Sequence, residues 1–301
     1  MVMEDIEYVF KALSDIWTGD ADRKNTRTIN TGLLGSIRWW FELVVRGLNG
    51  FACDPTNPTN RCPSPEKKPT EDTHHCVVCD LFGCTGWARK FRFEVLDTSN
   101  KTKVSSIKKG EEFIFRFIPL RPICQMEKHL LNLTLKLIAD YGAIGGKIAF
   151  KPISSTRGRQ YHRTYGIIEL QEIPQDFPFM KLHSLEKYVT NQKWRNDNHD
   201  EFKWASLKYS WFIKKRFLNK NYQPRFGSTQ EKKNIFKKIF TFNEKSEVCR
   251  TFGFVKPEMN IEKNVIIEHF KGIWPDFNDQ EFLEGKDILY QLLAARNGGS
   301  K

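Results

Sequence analysis

Two cysteines three residues apart open the phrase Cys76-Val77-Val78-Cys79-Asp80-Leu81-Phe82-Gly83-Cys84. A CxxC pair lets two thiolates grip one ion, and tetrahedral zinc needs four such donors at about 2.3 Å. Cys53 and Cys62 lie upstream, in a stretch with five prolines between residues 51 and 75. That stretch has few apolar residues and no core of its own to fold on. A metal would supply the missing order, with binding energies of roughly 10–16 kcal/mol typical of such sites. Cys53, Cys62, Cys76 and Cys79 are therefore the candidate ligands of a structural zinc. Cys84, His74 or His75 is a substitute for one of them, and a loop of free thiols is the plain alternative. Four protein ligands leave no open position, which argues against a catalytic metal.

A second phrase, Asp140-Tyr141-Gly142-Ala143-Ile144-Gly145-Gly146-Lys147, is rich in glycine and leads into Lys151, Arg157, Arg159, His162 and Arg163. Glycine lets backbone approach a ligand closely and takes positive φ without cost. Amides and cations around such a loop suit a phosphodiester backbone. The loop has neither the GxxxxGK[ST] spacing nor GxGxxG after a first strand. Its other reading is a helix C-cap and a tight turn. His162, beside Tyr161, is a general base in form, but a solvated histidine in a basic loop is the plainer reading. Paired carboxylates and a Ser/His/Asp arrangement are absent, so a non-enzyme is expected.

The 301-residue chain has a formal charge of +12 and a sequence pI near 9.3, a balance that favours a polyanionic partner. No run of about 18 apolar residues exists, so no membrane span is expected. The start, Met1-Val2-Met3-Glu4-Asp5, lacks the basic head and apolar run of a signal peptide. A cytoplasmic protein is expected, with its seven cysteines reduced or metal-bound rather than paired in disulfides.

The elements that must position these residues follow from periodicity. Residues 5–13 alternate as a strand with Ile6, Tyr8 and Phe10 on one face. Leu34, Ile37, Phe41, Val44, Val45 and Leu48 recur at helical spacing over 33–48, with Thr31 as cap and Gly47 or Gly50 as the stop. Arg38, Glu42 and Arg46 fall four apart on another face and can pair along it. Strands are expected at 88–97 and 111–118, a helix at 126–141 and a strand near 164–170. That order is the split βαβ, ferredoxin-like unit. Beyond it, helices are expected at 203–219, 230–240 and 279–295, and strands at 247–255 and 263–270. The expected class is α+β: tandem ferredoxin-like domains, 1–172 with a cysteine-rich insert at 51–85, and a degenerate, more helical 173–301.

Ile16-Trp17-Thr18-Gly19-Asp20, Gly32-Leu33-Leu34-Gly35-Ser36-Ile37-Arg38-Trp39-Trp40 and the phrase from Cys76 to Trp87 resemble the RAMP (repeat-associated mysterious protein) superfamily. Within it they are similar to the Cmr branch that supplies the first subunit of type III-B CRISPR effector complexes. The glycine phrase resembles the superfamily's glycine-rich signature, although Ile148-Ala149-Phe150 stand after Lys147 where the signature carries more arginine. The resemblance covers roughly residues 5–150. It implies a non-catalytic subunit near the 3′ region of a guide CRISPR RNA that helps capture target RNA alongside the other subunits. The candidate RNA contacts are Arg38, Trp39, Arg89, Lys90, Gly142, Gly145, Gly146, Lys147, Lys151, Arg157, Arg159 and Arg163. A guide-processing endoribonuclease of the same superfamily is the alternative.

Overall fold

The computed structural model describes residues 4–19, 24–145, 165–174, 180–197, 202–218, 235–242 and 248–294. Two four-stranded antiparallel sheets organise them. The first contains β1 (Ile6–Ala12), β2 (Phe91–Leu96), β3 (Glu112–Pro119) and β4 (Ile168–Glu172), in the order β2-β3-β1-β4. Between its strands run helices α1 (Asn30–Gly47), α2 (Val77–Phe82) and α3 (Gln125–Asp140). This is the ferredoxin-like order expected from the sequence. Strict alternation fixes its register: Tyr8 lies opposite Phe115, Phe10 opposite Phe113 and Phe93 opposite Phe117. A one-residue slip would turn all these rings into solvent.

The second sheet repeats that order with β5 (Ser210–Lys214), β6 (Phe236–Phe242), β7 (Arg250–Val255) and β8 (Phe282–Glu284), arranged β6-β7-β5-β8. Helix α4 (Leu182–Val189) precedes it, α5 (Lys263–Lys271) links β7 to β8, and α6 (Gly285–Ala294) follows. Several expectations fail here. Residues 203–219 hold not a helix but a short 3-10 turn at Leu207–Tyr209 and strand β5. Ser210, Trp211, Phe212 and Ile213 are all buried, so the strand is covered on both faces and shows no alternation. Within 230–240 the described part is strand β6, and the 263–270 strand is helix α5, which buries Ile266, Ile267 and Phe270 and leaves Val265 outside. Part of the 279–295 helix is strand β8. In the first half the outcome is smaller: α1 begins at Asn30 without a side-chain cap, so Thr31 does not cap it.

The layers explain the unusual burial of α1. The inward rings of the first sheet, both long helices and Phe212, Phe240, Phe242, Phe252 and Phe254 of the second sheet share one core. Trp40 faces the second sheet, 5.1 Å from the Phe252 ring, and its indole Nε1 donates to the Ala143 carbonyl at 2.8 Å. Phe41 turns the other way onto Phe82, which leads to Phe91 and Phe117. The far side of the second sheet packs Trp211 on Phe270 of α5 at 4.7 Å. Arg250 ties the halves together. It donates to the carbonyls of Ile138, Ala139 and Gly142 at the end of α3 and to that of Ile168. Two of those carbonyls, Ile138 and Ala139, belong to the last turn of α3, where helical C=O groups run short of partners within the helix, and burial lowers the Arg250 pKa to about 10.

Candidate metal centre and nucleic-acid interface

The insert begins where α1 ends. Arg46 donates to the Ala52 carbonyl at 2.8 Å and fixes the backbone before Cys53. On the other side, Cys76 occupies the N-cap position of α2 and Cys79 lies in its first turn. The helix thus sets the CxxC spacing, because positions three apart share a face. The Sγ atoms of Cys53, Cys62, Cys76 and Cys79 all lie within 4.8 Å of one another, and all four residues are buried. Cys53 and Cys79 are 3.5 Å apart at sulfur, and the Cys76 amide donates to Cys62 Sγ at 3.2 Å. A tetrahedron with Zn–S bonds of about 2.3 Å puts sulfurs roughly 3.8 Å apart, so the cluster has the right size. No disulfide links them. Burial opposes ionisation of Cys76, but hydrogen bonds from Cys53, Cys62 and Cys79 outweigh it and bring its pKa down. Cys79 is pushed up, chiefly by its hydrogen bond with Cys53.

The structure also sorts the alternatives left by the sequence. His75 Nε2 lies 3.1 Å from Asp80 Oδ1 and its Nδ1 lies 2.8 Å from His74 Nδ1, so both imidazoles belong to a separate polar chain. Cys84 sits beside Cys79 but outside the four-sulfur set. Burial raises the pKa of Asp80, yet its bonds to His75 and Lys90 pull it below the usual carboxylate range.

The twelve residues assigned to RNA fall into distinct environments. Lys90 Nζ lies 2.5 Å from Asp80 and 2.8 Å from Glu127, clamping α2 to α3. Trp39 packs between Trp40, Phe240 and Phe254, with centroids at 5.0, 5.9 and 6.2 Å. Arg38 is taken up by Glu42, Gly83 and Cys79. Its burial works against the charge, but Cys79 and Glu42 raise its pKa overall. Gly142 is required by packing, since a Cβ there would come 2.5 Å from the Trp40 ring. Gly145 has φ +113°, its amide donates to Ser36 Oγ, and a Cβ would collide with the Trp17 carbonyl. Arg89 is half-buried and makes no ion pair among the described residues. Gly146, Lys147, Lys151, Arg157, Arg159 and Arg163 lie outside the described residues, as do Tyr161 and His162. Segment 147–163 carries these five cations and no acid.

RRM-type sheets stack bases on aromatics of an open sheet face, and the first sheet has such a face. Here Val9, Leu96, Ile114 and Ile118 occupy that face, flanked by Glu7, Lys11, Arg92, Glu94, Glu112 and Arg116 and, from β4, by Glu169 and Glu172. Five acids stand there against three bases, so the face is net acidic. A cationic surface that sequence reasoning missed lies in the β2–β3 connection. Lys101, Lys108 and Lys109 are exposed there, Lys108 paired with Asp15 at 3.2 Å, Val104 is 70% exposed, and Arg27 lies alongside, bridged to Ser105. The Thr28 amide donates to the Val104 carbonyl at 2.8 Å and the Ser106 amide to that of Thr26 at 3.2 Å, which brace the two segments together. The signal was the lysine spacing within 101–109.

A family model described as the RAMP superfamily matches residues 9–150, the span of β1, α1, the insert, β2, β3 and α3. Among solved structures, the chain is similar to Cmr1 from Pyrococcus furiosus in its apo form, at 10% identity and TM-score 0.46, covering 86% of this chain and 92% of that one. It is also similar to a chain in a type III-B Cmr-beta complex bound to cognate target RNA, at 11% identity and TM-score 0.40, covering 96% and 99%. It is similar as well to a chain of a Csm3–Csm4 subcomplex of type III-A, at 16% identity and TM-score 0.28, covering 56% and 75%. No curated protein matches the chain. Among the described residues no helix is long and apolar enough to cross a membrane.

Proposed function

We propose that this chain is a non-catalytic, RNA-binding RAMP-superfamily subunit of a type III-B CRISPR effector complex. In this reading it works in the cytoplasm, sits near the 3′ region of the guide RNA and helps capture target RNA beside the other subunits. The observation that carries the reading is the superfamily match over residues 9–150. The cation-only segment that follows it supports an RNA partner. RNA contacts are assigned to Lys147, Lys151, Arg157, Arg159 and Arg163, with Arg89 and the Lys101–Lys109 surface as accessory cations. Arg38, Trp39 and Lys90 are committed to contacts within the protein. The division into 1–172 and 173–301 is part of the same proposal.

Cys53, Cys62, Cys76 and Cys79 are assigned as ligands of one structural zinc, which orders an insert without a core of its own. Elemental analysis of the purified protein tests this, with about one zinc per chain expected. For the RNA role, the protein should bind single-stranded RNA without cutting it. His162→Ala should leave RNA binding and target cleavage by the assembled complex unchanged. Cleavage of repeat RNA by the isolated chain, lost in His162→Ala with binding intact, would instead establish the guide-processing endoribonuclease.

A further inference from the structure

Arg38 stands on the α1 face that the sequence leaves outside the apolar stripe, yet its guanidinium is held at three points. Nη2 donates to Cys79 Sγ at 3.2 Å, Nη1 to the Gly83 carbonyl at 2.8 Å and Nε to Glu42 Oε1 at 3.2 Å. Glu42 is held from its other side by Arg46 at 3.8 Å, and Arg46 donates to the carbonyl of Ala52, the residue before Cys53. Three residues one turn apart on α1 therefore form a rail. One end grips the Cys53 limb of the cluster and the other grips the Cys79 limb. The row carries one net positive charge beside four buried sulfurs.

Four thiolates around a divalent zinc leave a net charge of −2, and a buried charge needs a partner. A donor to a ligating sulfur also fixes the direction of its lone pairs. We propose that Arg38 is a positioning residue of this metal centre: its N–H···S bond orients Cys79 toward the ion and offsets part of the cluster's negative charge. The inference rests on the zinc reading above. It assigns the α1 arginine to the metal rather than to RNA.

Outer partners of metal ligands are commonly worth 10–100-fold in metal affinity. The test uses the full chain loaded with zinc, and in parallel with cobalt(II) as a spectroscopic stand-in. Arg38→Ala should lose zinc to a chromophoric chelator at least about tenfold faster than the parent chain. Its sulfur-to-cobalt charge-transfer band should move to lower energy, because the sulfur becomes more electron-rich without the donor. Arg38→Lys keeps the charge but cannot donate at all three points, and should fall between the two. If Arg38→Ala does not fold, Arg38→Lys carries the test on the same two readouts. Parent release rate and parent band position in the variant would overturn the inference and leave Arg38 as a tie between α1 and the insert. A parent chain that binds no metal would instead overturn the zinc reading itself.

Discussion

The two sheets share one strand order, but they spend their outer faces differently. The first sheet leaves one face to solvent, with Val9, Ile114 and Ile118 among five acids and three bases. The second is covered on both sides, by α1 and α3 on one and by α5 on the other. A ferredoxin-like sheet can hold RNA on an open face only if that face offers rings and cations. Here the first sheet's open face is net acidic and, among the described residues, without aromatics, and the second sheet is closed on both sides. The comparison directs an RNA partner away from both sheets and toward the connections between elements.

The largest expected effect is at the insert, where the first half carries a cluster of four cysteines and, among the described residues, the second half carries none. Cys76→Ser combined with Cys79→Ser should abolish metal binding and open residues 51–85 to protease, because metal binding there is folding energy. Elemental analysis and limited proteolysis read both consequences, and an insert that stays resistant without metal would remove the contrast. Next comes the shared middle layer. Trp40→Ala should cost about 3–5 kcal/mol in denaturant unfolding, since Trp40 is fully buried against Phe252 and carries a hydrogen bond to Ala143. One cooperative transition is expected, because the two halves share that core. Two separated transitions would mean the halves fold independently.

The smallest effect is expected on the open face. The Arg92 side chain is 60% exposed and among the described residues pairs with Glu94 alone, so Arg92→Ala should change stability by no more than about 0.5 kcal/mol. Arg92→Ala with Arg116→Ala should also leave RNA affinity within about twofold, since contacts that position RNA are expected elsewhere. A large loss in that double variant, measured by fluorescence anisotropy, would return the sheet face to the interface.

The same contrast decides what could be read from sequence. Strands β1, β2 and β3 are half-exposed and alternate, so the sequence shows them with their faces: Ile6, Tyr8 and Phe10 turn inward as expected. Strand β5 is buried on both sides and reads as a helix, because its apolar run has no period of two. Helix α5 is short, and its Val265-Ile266-Ile267 run imitates a strand. The cysteine set was legible because thiol spacing is chemical. The commitment of Arg38, Trp39 and Lys90 was not, because their partners at Cys79, Phe240 and Glu127 are remote in the chain. Helical spacing placed Arg38 beside Glu42 but could not show that the insert would close over them.

The most direct test of the account is the salt dependence of single-stranded RNA binding by the parent chain and by a variant with Lys147, Lys151, Arg157, Arg159 and Arg163 all changed to alanine. Each phosphate contact contributes about 0.7 to the slope of log affinity against log salt on a single strand. The account predicts a steep slope in the parent chain and a loss of up to about 3.5 in the variant, with folding and zinc content unchanged. A parent slope near zero, or an unchanged slope in the variant, would contradict it.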